Sequence, residues 1–268
     1  MQAIGGKEAF EKLNTRTAKG AFELPSMGAS GTVELYAKAP NKVFTLVSIP
    51  GFGEIKQGFD GTTAWAQDPD TGKINDLSGT QLSETKISAD FRFDLKLKEL
   101  YPQMSLKGRE ESGGRESFVI EATAPGVSKK MYFDAQTGLL SRIDSVRESA
   151  DGKRAIEEYY SDYKELDGVK FAHTYRQKNP QYDFYFKFDD VKHNQTIDDA
   201  RFVKPTAQSE LKEALMQAFP AWIPELACEA SEVVLQADDV VFAKVCAALN
   251  FNEDQTISFP VLNPVCST

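Results

Sequence analysis

The side chains most often used in catalysis and metal binding are scarce in this chain. It has two histidines, His173 and His193, and three cysteines among 268 residues. Each histidine stands alone in a segment that alternates like a strand, which is typical of a surface or hydrogen-bonded histidine. The sequence has no H-E-x-x-H, C-x-x-C, Walker or G-x-S-x-G motif. We therefore expect no catalytic residue, no metal site and no cofactor, and a protein that is not an enzyme.

Charged residues do not form a catalytic or nucleic-acid-binding pattern either. Carboxylate pairs such as Glu110-Glu111 and Asp189-Asp190 are adjacent in sequence, and adjacent residues of a strand point to opposite faces. The net charge is −9, and the basic pair Lys129-Lys130 is short. An acidic chain without a segregated basic patch repels phosphates, so we expect no nucleic-acid partner.

The three cysteines all lie in a segment whose charge differs from the rest. Residues 1–205 carry 29 basic and 31 acidic residues, whereas residues 206–268 carry 2 basic and 9 acidic ones. This predicts a domain over 1–205 followed by an acidic, cysteine-containing α/β appendage over 206–268. In an oxidising compartment Cys228 and Cys246 could form a disulfide and leave Cys266 over. In the cytoplasm all three would be small apolar residues.

The appendage has an order of elements of its own. Ser209 could cap one helix, a second helix is predicted from Pro224 through Ala237, and residues 240–245 indicate a buried strand. Residues 220–264 are faintly similar to the middle of a thioredoxin-like domain, with Pro260 at the position of that family's cis-proline. The C-x-x-C motif is missing, so redox activity, which needs two nearby thiols, is not supported.

In the first 205 residues, turn sequences separate short segments at intervals typical of a many-stranded antiparallel protein. Apolar and polar residues alternate between turns such as Asp60-Gly61, Gly113-Gly114 and Asp167-Gly168, which accept positive φ. Two helices are predicted, over 6–13 and over 79–100, the latter able to close the open side of a curled sheet. The predicted strands are 15–24, 30–38, 42–49, 53–59, 62–67, 73–77, 103–111, 115–123, 129–134, 139–148, 153–164, 169–178 and 181–193.

One face of these strands is consistently large and apolar. Phe184, Phe186 and Phe188 fall on one face, opposite Asp183, Tyr185 and Lys187. Phe118 and Ile120 likewise fall on one face, opposite Ser117, Val119 and Glu121. So many strands cannot stay flat and must curl around something. The pattern leaves two alternatives open, a filled core and a ligand cavity, because an apolar interior face looks the same in both.

Three hairpin sequences resemble those of one bacterial family. They are Phe59-Asp60-Gly61-Thr62-Thr63-Ala64-Trp65 followed by Asp68-Pro69, Tyr132-Phe133-Asp134-Ala135-Gln136-Thr137-Gly138-Leu139-Leu140, and Asp162-Tyr163-Lys164-Glu165-Leu166-Asp167-Gly168-Val169-Lys170-Phe171. In that order they resemble the lipoprotein-carrier (LolA/LolB-like) superfamily over roughly residues 15–203. Ala172 and His173 stand where the family often has a proline. The resemblance implies a mainly β fold, a half-open antiparallel β-barrel of about 11–13 strands with a helical plug.

The resemblance also implies a function. The concave face of such a barrel would bind acyl chains of a lipid or lipoprotein, with no catalytic residue and no cofactor. The residues expected to line it are Phe44, Leu46, Trp65, Phe91, Phe118, Ile120, Phe133, Phe184 and Phe186. One alternative is a sensor module on the same scaffold that binds a protein partner of the envelope, and another is redox chemistry in the appendage. Arg92, Lys96 and Lys98 of the plug could meet a lipid phosphate or an acidic partner, or they form a solvated helix face.

The sequence leaves the compartment open. Residues 1–6 lack a charged n-region and an apolar h-region, so they are not a signal peptide. The resemblance implies a periplasmic or cell-envelope protein whose leader was removed, and a native start at Met1 would instead imply the cytoplasm. No run of about 18 apolar residues occurs, so we expect no transmembrane segment.

Overall fold

The computed structural model describes residues 2–69, 71–149 and 152–206, together with Ala230–Ser231 and Val261–Leu262. The chain divides into two compact units, Met1–Lys204 and Pro205–Thr268. In the second unit β14 (Ala230–Ser231) pairs antiparallel with β15 (Val261–Leu262). The helix predicted from Pro224 through Ala237 is therefore wrong at Ala230 and Ser231, which are extended. The predicted Cys228–Cys246 disulfide lies outside the described residues, and the functional division into domain and appendage stays a prediction.

The first unit is built on one antiparallel sheet of thirteen strands among the residues described. Their spatial order is β6-β5-β4-β3-β2-β1-β13-β12-β11-β10-β9-β8-β7. Every predicted strand is present, and the bounds differ by a few residues at most. The strands are β1 Thr15–Leu24, β2 Ala29–Lys38, β3 Lys42–Ile49, β4 Gly53–Phe59, β5 Ala64–Gln67, β6 Ile74–Asp76, β7 Gln103–Ser112, β8 Arg115–Ala124, β9 Val127–Asp134, β10 Leu140–Ser149, β11 Gly152–Leu166, β12 Val169–Lys178 and β13 Asp183–His193.

The sheet is open and strongly curled. Helix α2 (Gly79–Ser88) contacts both β5 and β9. A ten-residue helix is about 15 Å long. Nine strand spacings separate β5 from β9, which would be about 43 Å in a flat sheet at about 4.8 Å each. The sheet must therefore bend around α2, which confirms the half-open antiparallel barrel with a helical plug.

The plug is broken into three pieces instead of the single helix predicted over 79–100. Helix α2 ends at Ser88, a 3₁₀ helix covers Phe93–Leu95, and α3 covers Leu97–Leu100. The Asp90 carboxylate accepts the backbone N–H of Arg92 at 2.9 Å. The N–H of Phe91 donates to the carbonyl of Pro40 at 2.9 Å instead of to a helical partner. These contacts tie the chain to the sheet and interrupt the helix.

Two of the three hairpins that carry the family resemblance are closed by their aspartates. Oδ1 of Asp60 accepts the N–H groups of Thr62 and Thr63, both at 2.7 Å. Oδ1 of Asp134 accepts the N–H of Thr137 at 2.8 Å. These hydrogen bonds hold the tight turns that let consecutive strands pair, as Asp favours in turns.

The first and last strands in chain order, β1 and β13, are neighbours in the middle of the sheet. Strand β1 pairs with β13 over Arg16 to Glu23, with a bulge between Lys19 and Gly20. Beside this seam, Asn14 donates its N–H to Oδ1 of Asn194 at 2.8 Å. The β1–β13 pairing is thus the only ladder that joins strands β1–β6 to strands β7–β13 within the described sheet.

Candidate binding site on the inner face of the sheet

The inner face is the side of the sheet on which the helices pack. Residues paired directly across antiparallel strands share a face, so the register assigns the residues of every strand to the inner or the outer face of the sheet. Helix α1 (Lys7–Glu11) is followed by Leu13, and Phe10 and Leu13 pack with Phe91 of the plug and Val169 of β12. These four residues close one end of the curled sheet.

The middle of the inner face carries a run of aromatic rings that we call the aromatic track. It consists of Phe171, Phe188, Phe186, Phe184 and Tyr182. Consecutive ring centroids along it are 5.9, 6.2, 5.1 and 5.9 Å apart. The track follows β13 because every second residue of a strand points to the same face. It begins near the closed end and reaches Tyr182, in the turn before β13, at the opposite end.

Six of the nine predicted lining residues lie on the inner side. Phe184 and Phe186 belong to the aromatic track and pack on the buried Phe22, with ring centroids 5.9 and 6.0 Å away. Phe118 pairs with Phe133 across β8 and β9, and Ile120 pairs with Met131 of the same inner face. Phe91 of the plug lies in the closed end. The six residues therefore form separate groups along one face, and ligand contact at each stays a prediction.

The other three predicted lining residues, Phe44, Leu46 and Trp65, lie on the outer face, so their predicted placement was wrong. Phe44 and Trp65 pack with Phe202, and Leu46 packs against that cluster. The indole N–H of Trp65 donates to the carbonyl of Phe202 at 3.1 Å. The physical reason is a second layer. The 3₁₀ helix Asp199–Phe202 covers the outer face of β2–β5, which is therefore apolar on both sides.

Large apolar side chains of the inner face are only partly buried, although helices lie over that face. Phe171, Phe184 and Phe186 keep accessible surface, as do Phe118 and Phe133. On the plug, Leu82, Ile87, Phe93 and Leu97 face the sheet and are also partly accessible. A filled core buries such side chains fully. These side chains of the sheet and of the plug therefore keep apolar surface that the described residues do not cover.

Polar side chains also lie on this face, and sequence reasoning missed them. Nζ of Lys129 is 3.6 Å from the Glu158 carboxylate, which accepts the Tyr175 hydroxyl at 2.8 Å. Burial, with Glu158 nearby, raises the pKa of Tyr175 and Tyr160 well above the ordinary value. Within the described residues the buried hydroxyl of Tyr101 has no hydrogen-bond partner. The inner face thus offers hydrogen-bonding groups beside its aromatic surface.

A second polar group centres on Arg16 of β1. Its Nε donates to Nε2 of His193 at 3.1 Å, and Nδ1 of His193 is 3.0 Å from the Asp167 carboxylate. Because Nε2 accepts, the histidine is neutral and its proton is assigned to Nδ1. The guanidinium lies over the rings of Phe171, at 4.5 Å, and Phe91, at 5.6 Å.

Arg16 and Asp94 of the plug are both partly buried, and each charge affects the pKa of the other. Burial lowers the pKa of Arg16 to about 10, while the Asp94 carboxylate of the plug opposes that shift, so Arg16 keeps its charge at neutral pH. Burial raises the pKa of Asp94, and Arg16 opposes that shift. Arg16 and His193 stand 177 positions apart, and no local pattern could have joined them.

The plug cations considered from the sequence have protein partners or lie in solvent. Arg92 donates to the carbonyl of Glu11 at 3.4 Å, and Lys96 pairs with Asp90 at 2.9 Å. Lys98 is exposed. Among the described residues no three histidine, cysteine or carboxylate side chains are grouped as a metal site. No helix in that part of the chain is long and apolar enough to span a membrane.

Comparison with known proteins identifies the fold. No protein-family model and no curated protein matches the sequence. The structure is similar to that of a LolA superfamily protein from Nitrosomonas europaea, at 14% identity and a TM-score of 0.50 over 74% of this chain and 94% of that one. A putative outer membrane lipoprotein-sorting protein domain from Vibrio parahaemolyticus aligns at 13% identity and a TM-score of 0.48, over 73% of this chain and 92% of that one. The LolA-like fold expected from the three hairpins is confirmed.

Proposed function

We propose that this chain is a non-enzymatic carrier or binding protein of the cell envelope that holds an acyl chain of a lipid or lipoprotein on its inner face. The observation that carries the proposal is the accessible apolar surface that the side chains of the inner face and of the plug keep. Water in contact with Phe171, Phe184 and Phe186 is costly, and an acyl chain that replaces it is favoured by about 25 cal/mol per Å² buried.

The two ends of the curled sheet differ in a way that suits loading. Phe10, Leu13, Phe91 and Val169 fill one end. At the other end the β1–β2, β3–β4 and β12–β13 turns present apolar side chains to solvent. Met27 is 65% exposed and Phe52 is 73% exposed. An apolar chain would pass this open end and lie along the aromatic track.

The LolA-like fold supports the setting in the envelope that the resemblance of the three hairpins implies. The Nitrosomonas protein with this fold belongs to the LolA superfamily. A carrier needs no reactive group, and the inner face offers rings, aliphatic side chains and the Lys129–Glu158 ion pair. The bound chain must also leave again, which the short, separately anchored pieces of the plug allow.

Native mass spectrometry of the gently purified chain tests the proposal, followed by titration with the neutral fluorescent probe N-phenylnaphthylamine. We expect co-purified lipid, and after delipidation a probe signal that long-chain alcohols displace. Phe186→Ala should weaken binding of the probe. Phe44→Ala on the outer face is the matched control and should leave probe binding unchanged. Absence of lipid together with absence of probe binding would refute the proposal.

A second candidate is a module that binds a protein partner, and the exposed apolar tips at the open end favour it. Phe52→Ser combined with Met27→Ser would separate the two functions. If the double variant no longer captures the protein partner and its affinity for the probe is unchanged, the partner-binding function is supported. If it still captures the partner, that function is refuted.

A further inference from the structure

We propose that Arg16 binds the oxyanion headgroup, a carboxylate or a phosphate, of a single-chain amphiphile whose chain lies along the aromatic track. This names the ligand class of the site described above and rests on the proposed function. It reverses the orientation expected for a lipoprotein, because the headgroup would lie deep and the tail would point to the open end.

The guanidinium of Arg16 has donors left for a ligand. Its Nε is used by His193, whereas the two terminal nitrogens have no hydrogen-bond partner among the described residues. Together they carry four of the five N–H donors of the fork, which matches a carboxylate or phosphate. Phe171 and Phe91 lie against the guanidinium, and the His193–Asp167 pair fixes its orientation. The group is therefore preorganised for an oxyanion.

The position of Arg16 determines which end of the ligand reaches it. Phe171, the first ring of the aromatic track, is the ring on which the guanidinium lies. The track then runs from Phe188 to Tyr182, about 20 Å for six residues at about 3.3 Å each. Because Phe10, Leu13 and Val169 fill the space at the closed end, the headgroup there must be small. A polypeptide-linked lipid does not fit this position.

Asp94 of the plug acts as an internal substitute for the ligand. It neutralises Arg16 electrostatically, yet no ion pair within 4.0 Å joins the two side chains in the described part of the chain. A bound oxyanion would take over that neutralisation at hydrogen-bonding distance. Removing the Asp94 charge should therefore strengthen oxyanion binding by removing the competing carboxylate.

The test uses displacement of N-phenylnaphthylamine from the full chain by hexadecanoate, hexadecyl phosphate and hexadecanol. These probes share one chain length and differ in the headgroup. We expect wild-type protein to prefer one or both oxyanions over the alcohol by at least about tenfold, the effect of one charge-assisted pair. Arg16→Gln should abolish that preference and leave hexadecanol affinity within about twofold. Preference for the carboxylate indicates a fatty acid, and preference for the phosphate indicates a phospholipid-type headgroup.

Asp94→Asn is the second variant and is informative even if Arg16→Gln does not fold. We expect it to raise oxyanion affinity severalfold with hexadecanol unchanged. Equal affinity for all three amphiphiles in wild type and in both variants would overturn the headgroup site and leave the carrier function standing. Displacement by none of them, together with the absence of co-purified lipid, would instead refute the proposed function.

Discussion

Trp65 and Phe186 lie on opposite faces of the same sheet, and their truncation should separate stability from binding. Trp65 is fully buried, its ring centroid is 5.9 Å from that of Phe44, and its N–H donates to Phe202. Trp65→Ala should destabilise the protein by about 4 kcal/mol, as large-to-small core substitutions do. It should leave the affinity for N-phenylnaphthylamine unchanged, because the outer face does not contact the ligand.

Phe186→Ala should show the reverse pattern. Phe186 is partly accessible, so its truncation should cost about 2 kcal/mol, less than a fully buried ring. If about 50 Å² of its surface contacts the ligand, the loss at about 25 cal/mol per Å² is about 1.2 kcal/mol, or roughly eightfold in affinity.

Urea unfolding and probe titration under conditions where both variants are folded measure the two effects. Equal loss of probe affinity in Trp65→Ala and Phe186→Ala would refute the assignment of Trp65 to the outer face. Unchanged affinity in Phe186→Ala would refute the aromatic track as the binding surface.

Three further outcomes follow from individual contacts. A Cβ at Gly58 would lie 2.7 Å from the Trp65 ring, so Gly58→Ala should lower the free energy of unfolding by about 1–3 kcal/mol in urea, and adding Trp65→Phe should restore part of it. Burial, and to a smaller extent Arg16, lowers the pKa of His193 in the folded protein, so the unfolded chain binds a proton at this residue at higher pH than the folded one. The free energy of unfolding should therefore fall as the pH drops below about 6.5, the ordinary pKa of histidine. His193→Gln should flatten that fall in urea unfolding measured as a function of pH. Glu84 pairs with Arg147 at 3.2 Å, so Glu84→Gln should speed amide exchange in α2 about twofold, with Lys86→Gln unchanged.

The sheet was predictable from sequence because its signals are local. Turns such as Asp60-Gly61 and Asp167-Gly168 mark strand ends within two or three residues. Strict alternation from Tyr182 to Phe188 assigns the face of β13 up to its bulge. Phe91, Phe93 and Leu95 also alternate, which was a sign against one continuous helix over 79–100. The contact that ends α2, from Phe91 to Pro40, comes from a distant part of the chain.

The face of β3 was not predictable, because Val43, Phe44 and Leu46 form one nearly unbroken apolar run. Only the later segment that ends at Phe202 makes the outer face apolar there. The position of Arg16 on the inner face was not predictable for a similar reason. Charged residues on a strand usually face solvent, and the partners that keep Arg16 inside come from β13 and the plug.

The seam between β1 and β13 also governs the order in which the fold can be completed. Strands β1–β6 pair with sequence neighbours, as do β7–β13, and both sets can form as the chain is synthesised. The second edge of β1 must wait for residues near Phe188, about 170 positions later. Until then β1 presents an unpaired edge that other chains could join. The same arrangement suggests that two fragments, divided between β6 and β7, could reassemble along this single ladder, so that formation of the inner face would report their association.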